Sequence, residues 1–211
     1  ESVSMRSYNP DIKVLDDDID LAVKSILSCE KPVIYAGGGV INSNASQELT
    51  DLAKYLNFPV TNTLMGLGCF PGNDEQFIQM LGMHGSYEAN MAMHDCDLLI
   101  AVGARFDDRI TGRLDKFSPD ATVIHIDVDP SSISKNIKAH IPIVGDVKDA
   151  VNQISKKIVQ KNLKPKNIDK WWSQINEWRK KDSFGYKQGK EIIKPQYVVD
   201  RLYEITKGDA F

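Results

Sequence analysis

The run Leu98-Leu99-Ile100-Ala101-Val102 most narrows what this chain can become. It has no polar face to give to water, so the strand it predicts is buried on both sides, as in the middle of a parallel sheet. It leads directly into Gly103-Ala104-Arg105-Phe106-Asp107-Asp108-Arg109. Arg105, Asp107, Asp108 and Arg109 therefore emerge at the carboxyl end of a sheet strand, where open α/β sheets hold their ligands. Upstream, Gly82 and Gly85 mark a loop, and Ser86 is placed to cap a helix that has Glu88 in its first turn.

The same alternation recurs along the chain. Asp16-Asp17-Asp18 opens a helix with Ile19, Val23, Ile26 and Leu27 on one face, its acids at the positive end of the dipole. Val33-Ile34-Tyr35-Ala36 reads as a strand followed by Gly37-Gly38-Gly39, with Asn44 expected to cap a helix from Gln47 to Leu56. Pro59-Val60-Thr61 is a short strand, and residues 66–83 read as a Gly- and Pro-punctuated loop. Thr122 to Ile126 and Ile141 to Val144 are further strands; Ser131-Ser132 is expected to start a brief helix, and Gly145-Asp146 to open a helix over 147–159. This pattern predicts an α/β fold: a Rossmann-like parallel sheet of about five to six strands with helices on both faces.

The organisation expected from this reading is a lead-in linker over 1–15 and a central nucleotide-binding α/β domain over 16–165. A Trp-rich helix and linker follow over 166–193, and residues 194–211 begin a following, truncated domain. Ile168, Trp171, Trp172, Ile175 and Trp178 recur at spacings of three and four, as on a helix packed against the core or a neighbouring domain. The N-terminus carries no initiator Met and no signal-peptide core, and reads as part of a longer chain.

Composition excludes several classes of function. A net charge of −3 supplies no basic footprint for nucleic acid and no polybasic patch for a membrane. The apolar runs are strand-length, well short of the roughly 18 residues a membrane span needs. Cys29, Cys69 and Cys96 lack metal-ligand spacing, which favours a reducing, cytoplasmic setting. There is no nucleophile elbow and no P-loop.

The candidate site residues lie at strand ends, and each has a plainer reading. The triple-glycine turn either brings backbone N–H groups to a phosphate or is simply tight; with Asn42 where a third glycine would stand, it is not the dinucleotide fingerprint. Asp127 and Asp129 match the acid that accepts ribose hydroxyls, or cap the next segment; Asp146 has the same choice. Arg105 either forks onto a phosphate or carboxylate or pairs with its acidic neighbours. His84, between glycines, either lies against a planar ligand or satisfies a loop carbonyl. His94, His125 and His140 read as structural, with no pairing for a metal.

Five stretches, Met80-Leu-Gly-Met-His-Gly85, Tyr87-Glu-Ala-Asn90, Gly103-Ala-Arg-Phe-Asp-Asp-Arg109, His125-Ile-Asp-Val-Asp-Pro130 and Pro142-Ile-Val-Gly-Asp146, carry a resemblance. They are similar to the central domain of the acetolactate synthase (acetohydroxyacid synthase) large subunits, and the likeness runs from Ser2 to the helix after Pro195. The resemblance implies a parent enzyme that condenses two pyruvates, or pyruvate and 2-oxobutyrate, on the way to branched-chain amino acids. It implies thiamine diphosphate and Mg²⁺ bound by the outer domains of that enzyme and FAD held by this one. By position, the implied FAD contacts are Gly37, Gly38, Gly39, Thr61, Leu64, Met83, His84, Gly85, Gly103, Ala104, Arg105, Asp107, Asp127, Val128 and Asp146. Met83, Asp108 and Arg109 would face the channel to the active site, where herbicides bind in the family. No catalytic residue and no metal ligand falls within these 211 residues, so the isolated chain is expected to be inactive. The implied partners are the two other domains, a second large subunit and a small regulatory subunit. The alternatives are the middle domain of another thiamine-diphosphate enzyme, such as pyruvate oxidase or a different carboligase, and a structural module that binds no nucleotide.

Overall fold

The structure, a computed structural model, describes residues 13–209. Most of the expected lead-in linker therefore lies outside the described residues. The chain runs α1 (Asp16–Ser28), β1 (Pro32–Ala36), α2 (Gly38–Asn42), α3 (Ser46–Leu56), β2 (Val60–Asn62), β3 (Phe77–Met80), α4 (Tyr87–Asp95) and β4 (Leu98–Val102). It continues with α5 (Asp108–Thr111), β5 (Thr122–Asp127), β6 (Ile141–Val144), α6 (Val147–Gln160), α7 (Asp169–Arg179) and α8 (Pro195–Thr206).

The six strands form one parallel sheet in the order β3-β2-β1-β4-β5-β6. The chain first winds outward through β2 and β3, then crosses to the other side of β1. This doubly wound order places its switch point between β1 and β4, where ligands sit beyond the carboxyl ends. Both flanking strands are buried at every position, as their apolar sequences require. The amino ends of β1 and β4 are joined by Asp97, whose carboxylate accepts from the Glu30 and Lys31 amides at 2.7 and 2.9 Å.

Helices cover the sheet in two layers, with α1 and α3 packed on α6, and α4 on α7. Opposite winding directions with right-handed crossovers put these layers on opposite faces. In α1 the apolar stripe Ile19, Ala22, Val23 and Ile26 is buried while Asp16–Asp18 stay in the first turn, as the sequence pattern requires. Helix α7 crosses the amino ends of three strands. Trp171 Nε1 donates to the Pro32 carbonyl at 3.0 Å and Trp172 Nε1 to that of Asn57 at 2.8 Å, and Arg179 donates to those of Glu75 and Phe77 at 2.6 and 3.0 Å.

Four local expectations are corrected. The segment 66–83 is not all loop: it contains β3, which pairs with β2 through a register shift and carries Gln79 at φ +69°. Helix α3 is not capped by Asn44, which takes a left-handed turn at φ +52°; Ala45 precedes the helix without a side-chain cap. The single-turn α2 begins inside the triple glycine. Ser131 and Ser132 begin a turn rather than a helix, because Asp129 binds the Ser131 amide and hydroxyl and Ser134 turns left-handed.

Candidate functional site

All six strands deliver residues to one rim. Gly37–Gly39 follow β1, Leu64 follows β2, Met83–Gly85 follow β3 and Gly103–Arg109 follow β4. Asp127 ends β5 with Val128 just beyond, and Asp146 follows β6. Thr61 differs: fully buried in β2, it donates its hydroxyl to the Gln79 carbonyl at 2.7 Å and so ties β2 to β3 beneath the rim.

At the switch point the loops after β1 and β4 touch. A Cβ at Gly37 would lie 2.1 Å from the Gly103 carbonyl oxygen, and one at Gly39 would lie 2.6 Å from the Gly103 Cα. Only glycine allows that approach, and Gly103 itself stands at φ +59°. The Gly37 amide donates to Val102 and the Gly39 amide to Gly103, at 2.9 and 3.1 Å. Those two N–H groups therefore serve the loop junction and are not presented to a phosphate. The Gly38 amide has no protein acceptor among the described residues. Glycine here is first a matter of steric fit, the plainer of the two readings.

The turn after β4 is anchored by alternate residues. Ala104 and Phe106 are buried, while Arg105, Asp107, Asp108 and Arg109 are exposed. Phe106 sits at φ +55°, an outlier for a bulky residue that costs on the order of 1–3 kcal/mol. Its surroundings impose it: the Asn136 amide donates to the Phe106 carbonyl at 2.8 Å, and the ring packs on Tyr35, Phe117 and His125. Outside, Arg105 lies 3.8 Å from Asp107, a contact between two well-exposed side chains that adds little stability. Asp107 caps the single turn α5. A hydrogen bond shared with Asp108, then the Arg109 amide and Arg105, hold its carboxyl below the ordinary carboxylate range.

The neighbouring loop is held by Asn90, whose side chain accepts from the Gly82 amide at 2.9 Å and donates to the Gly82 carbonyl at 3.1 Å. The Met83 amide reaches Arg109 O at 3.3 Å, linking the loops after β3 and β4. Met83 and His84 are exposed, and Ser86 caps α4 as the sequence predicted. Asp127 is nearly buried; one carboxylate oxygen accepts from the Asp129 amide at 2.9 Å and the other lies 4.0 Å from His125 Nε2. Asp129 is spent on Ser131, whose hydroxyl and amide lower its pKa. Asp146 caps α6 through the Asp149 amide at 3.0 Å. Phe106, Asn90 and Asn136 were missing from the sequence-based site residues; Asn90 and Phe106 lay within the quoted stretches Tyr87-Glu-Ala-Asn90 and Gly103-Ala-Arg-Phe-Asp-Asp-Arg109, and Asn136 carried no signal.

The rim thus offers an exposed guanidinium, carboxylates on either side of it, and exposed apolar groups in Leu64, Met65, Met83 and Val128. Among the described residues no group of three or more His, Cys, Asp or Glu side chains gathers as a metal site, and no helix is long and apolar enough to cross a membrane.

A doubly wound parallel sheet with helices on both faces defines a Rossmann-like α/β domain, whose carboxyl rim here mixes charge and apolar surface. The profile of the thiamine pyrophosphate enzyme central domain matches residues 19–154, and the chain belongs to that family. It is 47% identical over 211 residues to the acetolactate synthase large subunit of Buchnera aphidicola subsp. Schizaphis graminum, covering all of this chain and 37% of that protein. It is 47% identical over 213 residues to the acetolactate synthase isozyme 3 large subunit of Escherichia coli K12, again over 37% of its length. To an acetolactate synthase of Mycobacterium leprae it is 43% identical over 211 residues. The chain spans little more than a third of the length of these relatives.

Proposed function

We propose that this chain is the FAD-holding central domain of an acetolactate synthase large subunit. The parent enzyme condenses two pyruvates, or pyruvate and 2-oxobutyrate, to 2-acetolactate or 2-aceto-2-hydroxybutyrate with release of CO₂. Thiamine diphosphate and Mg²⁺ belong to its other domains, so these 211 residues alone form no product. A second large subunit and a small regulatory subunit complete the assembly, which is cytoplasmic.

The observation that carries the FAD assignment is the chemistry of the rim. FAD needs a cation for its pyrophosphate, carboxylate acceptors for hydroxyls, and apolar surface for its flat rings. Arg105 is exposed beside the switch point, Asp127 keeps one oxygen off the backbone, and Leu64, Met83 and Val128 present apolar surface beside them. In this arrangement Arg105 and the Gly38 amide meet the phosphates, Asp127 accepts from the ribose, and Met83, His84 and Val128 lie along the rings. Asp107 steers Arg105, while Asp108 and Arg109 face the channel to the active site. When bound, the flavin supplies a large planar surface that completes the rim; the residues of this chain bind and orient it.

Thermal denaturation against FAD tests the assignment. At a hundred times Kd a ligand adds about 2.7 kcal/mol, raising Tm by roughly 5–10 °C in a chain of this size. An unchanged Tm at saturating FAD refutes it. A module that holds no nucleotide is the second reading, favoured by the amides of Gly37 and Gly39, which are already satisfied. Arg105→Ala separates the two: it weakens FAD binding under the first and leaves no binding to lose under the second.

A further inference from the structure

The shape of the turn after β4 is decided well inside the sheet. Tyr35, Ala101 and His125 stand in one register row across β1, β4 and β5, so their side chains rise from the same face. Ala101 is the small member of the row, and the Phe106 ring occupies the space between its larger neighbours. The ring centroid lies 5.7 Å from that of Tyr35 and 5.0 Å from that of His125, edge-on to the imidazole at 83°. His125 is fully buried, and its Nε2 lies 2.9 Å from the Ala104 carbonyl oxygen. A carbonyl only accepts, so Nε2 carries the proton. One imidazole therefore grips residues 104 and 106, and chain alternation sends 105 and 107 outward.

We propose that His125 is a positioning residue for the ligand rim: in its neutral Nε2–H form it holds the Ala104 carbonyl and the Phe106 ring together, and so sets the direction in which Arg105 and Asp107 meet the nucleotide. The inference rests on the reading of this rim as an FAD site and names what shapes it. Histidine supplies both grips, whereas phenylalanine keeps the ring without the donor and glutamine keeps a donor without the ring. Protonation adds an N–H at Nδ1, which has no partner among the described residues. Burial outweighs the attraction that Asp127 offers the charged ring, and none of the nearby groups meets the Nδ1 proton. Asp127, on the same strand, lies on the Nε2 side at 4.0 Å. From β1 comes only the Tyr35 phenol, kept un-ionised by burial. Beside His125 in the register rows, β4 presents Ala101 and β6 presents Pro142. The turn itself contributes Arg105 and Asp107, both directed outward. Charging His125 therefore loosens the turn, and FAD affinity falls with pH through the histidine range.

The test is FAD titration of the unaltered chain, His125→Phe and His125→Gln at about pH 8 and about pH 5.5, with isotope-resolved NMR of the histidine rings. His125→Phe is expected to lower FAD affinity about 10- to 100-fold, the range lost when a group behind a ligating residue is removed. His125→Gln should recover part of that loss and should lack the unaltered chain's decline toward low pH. NMR at neutral pH should find His125 protonated at Nε2 alone. FAD binding by His125→Phe equal to that of the unaltered chain overturns the positioning role and leaves the rim assignment standing. Absence of FAD binding by the unaltered chain removes the rim assignment and this inference with it. If His125→Phe does not fold, His125→Gln and the ring NMR decide, and an Nδ1–H or doubly protonated imidazole at neutral pH overturns the proposal.

Discussion

Gly37→Ala tests the junction on which the whole rim is built. The added Cβ would lie 2.1 Å from the Gly103 carbonyl oxygen and 2.8 Å from the Ala104 Cα, both backbone atoms that no rotamer change can move away. Ordinary contact requires the loops after β1 and β4 to separate by more than an ångström. That separation breaks the bonds from the Gly37 amide to Val102 and from the Gly39 amide to Gly103. Two hydrogen bonds at about 1 kcal/mol each, with overpacking of about 1–3 kcal/mol, give a loss near 4 kcal/mol. A domain of ordinary stability, about 5–15 kcal/mol, survives this with little margin. Urea denaturation reads it directly: with a slope of about 2 kcal/mol per molar, the midpoint drops by about 2 M. Gly72→Ala is the control, since its Cβ meets nothing within 4 Å and its φ is not positive; it should be neutral or slightly stabilising. If Gly37→Ala shifts the midpoint no more than Gly72→Ala does, the loops are not in contact as described and the argument from steric fit fails.

Phe106→Ala removes the ring wedged between Tyr35 and His125 and should cost about 3 kcal/mol in urea denaturation, with a smaller loss marking a turn held by its hydrogen bonds alone. Burial raises the thiols of Cys29 and Cys96 to about 12 and that of Cys69 to about 11, so none should react with a disulfide reagent near neutrality until the chain is unfolded. Rapid labelling of the native protein would contradict their burial. Stability should also fall with acid before the carboxylates titrate. Burial holds His125 below its ordinary 6.5, so the unfolded chain takes up that proton first. The neutral ring's contribution is complete above that value and is lost as pH falls through it toward the folded-state pKa. His125→Gln should flatten that part of the pH–stability curve, and an unchanged curve refutes the assignment.

Sequence legibility followed the range of the interactions involved. The central strands announced themselves because burial on both faces leaves only apolar residues, and the caps at Ser86 and Asp146 were legible because a cap acts over three residues. Strand β3 was hidden by its bulged pairing and the left-handed Gln79. In the site, the exposed charges were visible and their supports were not. Arg105 and Asp107 stand out in any reading of the turn. The roles of Tyr35, Phe106, His125 and Asn136 depend on which strands become neighbours, and that is a property of the assembled sheet. The triple glycine was found for its phosphate-binding potential, yet two of its three amides are consumed by the neighbouring loop.

The Trp-rich helix also bears on the order in which the chain becomes whole during synthesis. The carbonyls of Pro32 and Asn57 wait for indole donors 139 and 115 residues further on, and those of Glu75 and Phe77 wait for Arg179. While the ribosome is still making the sheet, the starts of β1, β2 and β3 hold open positions that water alone fills. They close only when α7 emerges, after every strand has been made. Helix α7 thus acts as a latch that fastens the first half of the fold only once the sheet is complete, on the side opposite the rim.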